Sequence, residues 1–167
     1  MKNASQSNVD RPHMPESYGL SKNTEGVLDW HWVQNRLIAS RNYWVCTTRA
    51  DGRPHVMPVW GIWLDDCFYF GTDLHSIKGR NLRRRPELVV HLESGDDVVI
   101  LECRAEQVAD SQLLKRVLKA YSEKYGVFSQ DSELTDEMIF FAAKPYKALA
   151  WRESSFPTSA TRWRFTG

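Results

Sequence analysis

The chain has 167 residues, of which 42 % are hydrophobic. That is enough for one domain with a real core and too apolar for global disorder. Its 22 basic and 21 acidic residues leave a formal net charge of +1, which argues against a general nucleic-acid or membrane-surface binder. Cys46, Cys67 and Cys103 are odd in number and form no Cys-x-x-Cys pair, so neither a disulfide framework nor a cysteine zinc site is expected.

Residues 1–22 are polar, carry Pro12 and Pro15 and show no periodicity. They read as a flexible arm or an extended strap ahead of a single domain over 23–167. Residues 29–40 read as a helix capped by Asp29, with Trp30, Val33, Leu37 and Ile38 on one face. Trp32 lies off that stripe, facing a partner subunit or the barrel wall. Residues 43–49 alternate and are rich in β-formers, Asp51-Gly52 supplies a hairpin turn, and 54–63 read as the second strand. A turn at 64–66 leads to a third strand over 67–72. Residues 76–85 form a short helix capped by Ser76 and stopped by Pro86. Strands follow at 88–93 and 98–108. The second sets Glu102, Arg104 and Glu106 opposite Leu101, Cys103 and Ala105. Asp110 or Ser111 caps a helix reaching Tyr125, with Leu113, Leu114, Val117, Leu118 and Tyr121 as its stripe. Residues 138–143 and 146–152 read as two strands split by Pro145, and 161–165 as a last short one. Consecutive antiparallel strands with outlying helices point to a mainly β fold, a small barrel with peripheral helices.

The feature with most chemistry in it is the start of the helix after the third strand. A helix N-terminus presents unpaired N–H groups and the positive end of its dipole. The Ser76 hydroxyl, with Lys78 and Arg80, makes this an anion site suited to a phosphate monoester. A solvated basic helix face is the plainer alternative, because 78–85 carries five basic residues and no acid. Pro58 cannot donate to a ladder, so it marks either a strand edge or a gap beside a ligand. His55 is placed to polarise a bound oxygen or to serve as a hydrogen-bonded structural residue. No His pair has metal-ligand spacing, and no metal site is expected. Glycine-rich nucleotide loops are missing as well.

The order Tyr43-Trp44-Val45-Cys46-Thr47-Thr48, then Asp51-Gly52-Arg53-Pro54-His55-Val56-Met57-Pro58-Val59-Trp60, then Ser76-Ile77-Lys78 with Asn81-Leu82 and Pro86, resembles the pyridoxamine 5′-phosphate oxidase-like superfamily. Within it, the chain is most similar to the flavin/deazaflavin oxidoreductase group. The resemblance implies a six-stranded antiparallel split barrel of the FMN-binding type, and a homodimer that holds the cofactor between subunits. It also implies that His55, Val56, Met57, Pro58, Val59 and Trp60 flank the ring and ribityl chain, with Gly71 and Thr72 at the phosphate end. Ser76, Ile77 and Lys78 form the phosphate loop, and Asn81 supports that loop or touches the cofactor. Trp151 is similar to a late tryptophan lent by the partner subunit, and Arg162 to a substrate-facing basic residue. The implied activity is hydride transfer between FMN, or alternatively 8-hydroxy-5-deazaflavin (coenzyme F-420), and a small flat substrate. No catalytic side chain is assigned. His55 and Trp60 stand where the true oxidase has arginine and lysine, so oxidation of pyridoxamine phosphate is not expected. The alternative within the same fold is a flavin, haem or tetrapyrrole carrier without turnover. No apolar run is long enough to span a bilayer, and the polar start lacks a secretory core. A soluble cytoplasmic protein, without membrane or nucleic-acid partners, is the expectation.

Overall fold

A computed structural model of the chain describes residues 7–129 and 131–165. Residues 1–6 of the expected arm lie outside these. From Ser7 onward that arm is built into the fold. Ser7–Asp10 is a strand, β1, followed by a 3₁₀ turn at Glu16–Tyr18. Arg11 then donates to the carbonyls of Asn23, Glu25, Thr158 and Ala160. The arm shows no period in sequence because one short strand and one guanidinium secure it.

Three helices begin where capping chemistry places them. Helix α1 (Trp30–Ala39) starts at Asp29, whose carboxylate accepts from the His31 N–H at 2.7 Å. Val33 and Leu37 are fully buried, whereas Ile38, expected on the same stripe, is 58 % exposed. Trp32 packs against the barrel core under the Arg36 guanidinium, 3.4 Å from its ring centroid. Helix α2 (Ile77–Arg84) is capped by Ser76 and helix α3 (Ser111–Tyr125) by Asp110. Helix α4 (Phe156–Ser159) is a single turn that the sequence does not advertise.

The remaining strands are β2 (Tyr43–Thr48), β3 (Pro54–Val59), β4 (Ile62–Leu64), β5 (Cys67–Asp73), β6 (Glu87–His91), β7 (Asp97–Gln107), β8 (Met138–Arg152) and β9 (Thr161–Phe165). They join one antiparallel sheet in the order β1-β9-β8-β7-β6-β2-β3, with β5 also on β8 and β4 on β5. Two expectations change here. The second strand is not continuous over 54–63. It breaks at Trp60-Gly61, pairing with β2 before the break and with β5 after it. That single bent segment carries the chain from one half of the sheet to the other, and no ladder closes the seam, as in a split barrel. Pro145, conversely, does not divide 138–152. Strand β8 runs through it, because a bulge at Tyr146 of β8, opposite Glu102 and Cys103 of β7, absorbs the irregularity and leaves Tyr146 without a partner residue. Along its other edge β8 changes partner at that point, from β5 to β9.

Alternation fills the interior. Tyr43, Val45 and Thr47 of β2 point inward with Leu101, Cys103 and Ala105 of β7, while Arg104 and Glu106 are exposed. A second apolar cluster joins Val117, Leu118 and Tyr121 of α3 to Ile62, Tyr69 and Phe140, so α3 covers the barrel beside the Trp60-Gly61 break.

Candidate functional site

The α2 N-terminus is pre-formed. Ser76 Oγ accepts from the Gly79 N–H at 3.0 Å and lies 2.9 Å from Thr72 Oγ1. Position 79 has to be glycine, because a Cβ there would sit 2.6 Å from the Asp73 carbonyl oxygen and 3.0 Å from that of Leu74. The turn from β5 into α2 therefore wraps closely on the first helical turn and aims its N–H groups outward. Lys78 is half-buried, and burial lowers its amine from the usual lysine value. A confined ammonium at a helix N-terminus is poorly solvated and suits an incoming anion.

A buried polar relay ties α2 to the first hairpin. Asn81 Nδ2 donates to Thr47 Oγ1 at 2.9 Å, and Thr47 Oγ1 stands 3.4 Å from His55 Nδ1. Burial, then the charges of Arg49 and Lys78, lower the His55 pKa, so the imidazole is neutral near pH 7. Asn81 is buried, and its amide ties α2 to β2 through Thr47. Thr47 is the relay residue that the sequence reading did not single out. Its inward parity between Val45 and the turn was the available signal.

Beyond this relay lies a basic cleft of about 310 Å³. It is lined by Arg49, Ala50, Asp51, Arg53, Ile77, Arg80, Asn81 and Arg84. Ile77, Arg80, Asn81 and Arg84 share one face of α2. Asp51, the lone acid among these lining residues, is occupied by Arg53 at 2.8 Å.

Strand β3 forms the other wall. Pro58 stands at the sheet edge, and Val56, Met57 and Trp60 are exposed by 48, 44 and 41 %. Val59 is buried in the core instead, so only its backbone faces outward. Gly71 lies against Phe140, whose ring a Cβ would meet at 3.0 Å, and Thr72 is buried. The structure thus gathers His55, Thr72, Ser76, Lys78 and Asn81 around α2, with the exposed β3 edge alongside.

Two candidates lie elsewhere within one chain. Trp151 sits on β8, four strands from β3 across the sheet, and packs edge-on to Phe156 at 5.7 Å. Counted along the sheet at ~4.8 Å per strand, that path is roughly 19 Å. Arg162 is held by Asp10 of β1 through contacts of 2.7 and 2.8 Å, and this guanidinium holds the Asp10 carboxyl below its usual range.

The split barrel and its anion-ready helix define the class, and comparison with known proteins agrees. A family profile described as pyridoxamine 5′-phosphate oxidase matches residues 33–152, so the chain belongs to that family. No curated protein matches the chain. Among solved structures, a conserved hypothetical protein from Mycobacterium tuberculosis is 23 % identical with a TM-score of 0.67, over 79 % of this chain and 89 % of that one. An F420 reductase is 19 % identical with a TM-score of 0.55, over 68 % and 94 %. The haem storage protein from Vibrio cholerae is 18 % identical with a TM-score of 0.57, over 70 % and 86 %. At these identities the likeness speaks for the fold alone. Among the described residues, no helix is long and apolar enough to cross a membrane.

Proposed function

We propose that this chain is a flavin-type oxidoreductase that binds FMN or 8-hydroxy-5-deazaflavin in a cleft between two copies and passes hydride to or from a small flat substrate. The observation that carries this reading is the pairing of a phosphate-ready α2 terminus with an exposed apolar edge strand beside it. Ser76, Lys78 and the first N–H groups of α2 hold the phosphate. Strand β3 lies along the ring and ribityl chain, where Pro58 leaves no backbone donor to satisfy. When bound, the cofactor itself supplies hydride acceptance and donation. The protein orients the ring and keeps water away from it.

The site fits such a group by the chemistry of its donors, and the basic cleft extends the fit. Lys78, Arg49, Arg80 and Arg84 offer more positive charge than one phosphate needs, which favours a cofactor with a longer anionic tail. The packing of Trp151 on Phe156 rather than on β3 supports a second copy that lends its indole to the cleft.

The absorbance spectrum of the purified protein tests the reading. Two bands in the near-ultraviolet and visible are expected with FMN, and one with a deazaflavin. A Soret band would replace the proposal with a haem carrier. A colourless protein that takes up neither flavin type on titration ends it. Between the two cofactors, Arg80→Ala combined with Arg84→Ala should weaken deazaflavin binding more than FMN binding. Equal losses would remove the argument for a long tail.

A further inference from the structure

Strand β3 ends at the Trp60-Gly61 break, yet one helix meets three of the backbone polar groups there. Tyr121 Oη donates to the Trp60 carbonyl at 2.8 Å. The Gly61 N–H donates to Tyr125 Oη at 3.0 Å. The Gly61 carbonyl lies 3.1 Å from Lys124 Nζ and 2.8 Å from Tyr125 Oη. The Trp60 indole stacks on the Tyr125 ring at 4.8 Å with only 8° between planes. Lys124 also reaches Tyr43 Oη at 2.6 Å, which binds the set to β2. Gly61 has no room to shift toward the barrel, because a Cβ there would lie 2.2 Å from the Phe68 ring.

We propose that Tyr121, Lys124 and Tyr125 of α3 are positioning residues that set the orientation of the Trp60 indole at the cofactor cleft. This rests on the reading above that β3 flanks the ring. Helix α3 grips the break from outside the barrel, through backbone atoms on both sides of the peptide and through the face of the indole. Trp60 is 41 % exposed, so the indole face away from Tyr125 is open to a planar ring. A merely structural α3 has no need of this grip, since Val117 and Leu118 already seat the helix in its own apolar cluster.

The test uses the full chain with Tyr125→Leu, Tyr125→Phe and Trp60→Phe, read in two ways. Iodide quenching, taken as the difference between each protein with and without Trp60, reports how freely that indole meets solvent and needs no cofactor. Titration with FMN reports the cleft. Tyr125→Leu should raise the iodide quenching of Trp60 and weaken FMN binding by about two- to tenfold, the reach of one aromatic pair, with the thermal transition still cooperative. Tyr125→Phe keeps the stack and loses the grip on Gly61, so a smaller change of the same sign is expected. It also stands in if the leucine variant does not fold. Folded variants with unchanged Trp60 quenching would show that α3 only braces the barrel. If wild-type protein takes up neither FMN nor a deazaflavin, the flavin reading falls, and the iodide measurement still decides whether α3 orients Trp60.

Discussion

Lys124 is surrounded by oxygens of the wrong kind for an ordinary lysine: a carbonyl and a phenol, with no carboxylate pairing with it among the described residues. Burial lowers its amine to about 8 from the usual 10.5. Between those values the unfolded chain keeps a proton that the folded chain has released, so the contribution of Lys124 to stability should climb as pH rises from about 8 toward 10. Groups raised by burial act with the opposite sign, the thiols of Cys46, Cys67 and Cys103 from about 9 and the hydroxyls of Tyr43, Tyr121 and Tyr125 above 10. Urea unfolding at about pH 7.5 and about pH 9.5 should therefore show a change in wild type that is more favourable than the change in Lys124→Met. An equal change in both proteins would place the titration elsewhere. At the cofactor site, Lys78→Ala should cost roughly 1.5–3 kcal/mol of cofactor affinity, the scale of a charged hydrogen bond. Unchanged affinity would mean the phosphate lies off the α2 terminus. The cap at Ser76 was legible in the sequence because a cap residue is a local signal. Tyr121, Lys124 and Tyr125 were not, since what they hold is about 60 positions away in the chain.

Elements were legible where one residue decides a boundary. Asp29, Ser76 and Asp110 each cap the helix assigned to them. Asp110 accepts from the N–H groups of Gln112 and Leu113, so Asp110→Ala should lower stability by about 1 kcal/mol. Elements were illegible where a partner decides. Strand β1 has only its pairing with β9 to define it, and Pro145 misleads because pairing with β7 carries β8 past it through a bulge at Tyr146. Gly79→Ala should be the more damaging change in α2, at about 1–3 kcal/mol, because carbonyl oxygens rather than a mobile side chain occupy the space. If denaturant unfolding finds Gly79→Ala neutral, the close wrap of the β5–α2 turn is not needed for folding.

For the whole molecule, the antiparallel barrel could be inferred from strand count and turn spacing, whereas its split came only from the family resemblance. The seam depends on which strands the two halves of 54–64 choose, and nothing local records that choice. Exposed Val56, Met57 and Trp60 on an edge strand form a surface that solvent alone covers poorly. Val56→Lys should shift the protein toward monomer in sedimentation at micromolar concentration. A monomeric wild type would contradict the two-copy cleft. The N-terminal strap adds a further consequence. By lying on β9, β1 makes the opposite margin of the sheet a strand of only four residues, and Arg11 clamps the chain immediately after it. Among the described residues the two ends of the sheet order therefore differ: β3 is an edge with exposed apolar side chains, and β1 is short and tied down. Short edge strands resist pairing with further copies, so β1 works against growth into filaments from that end.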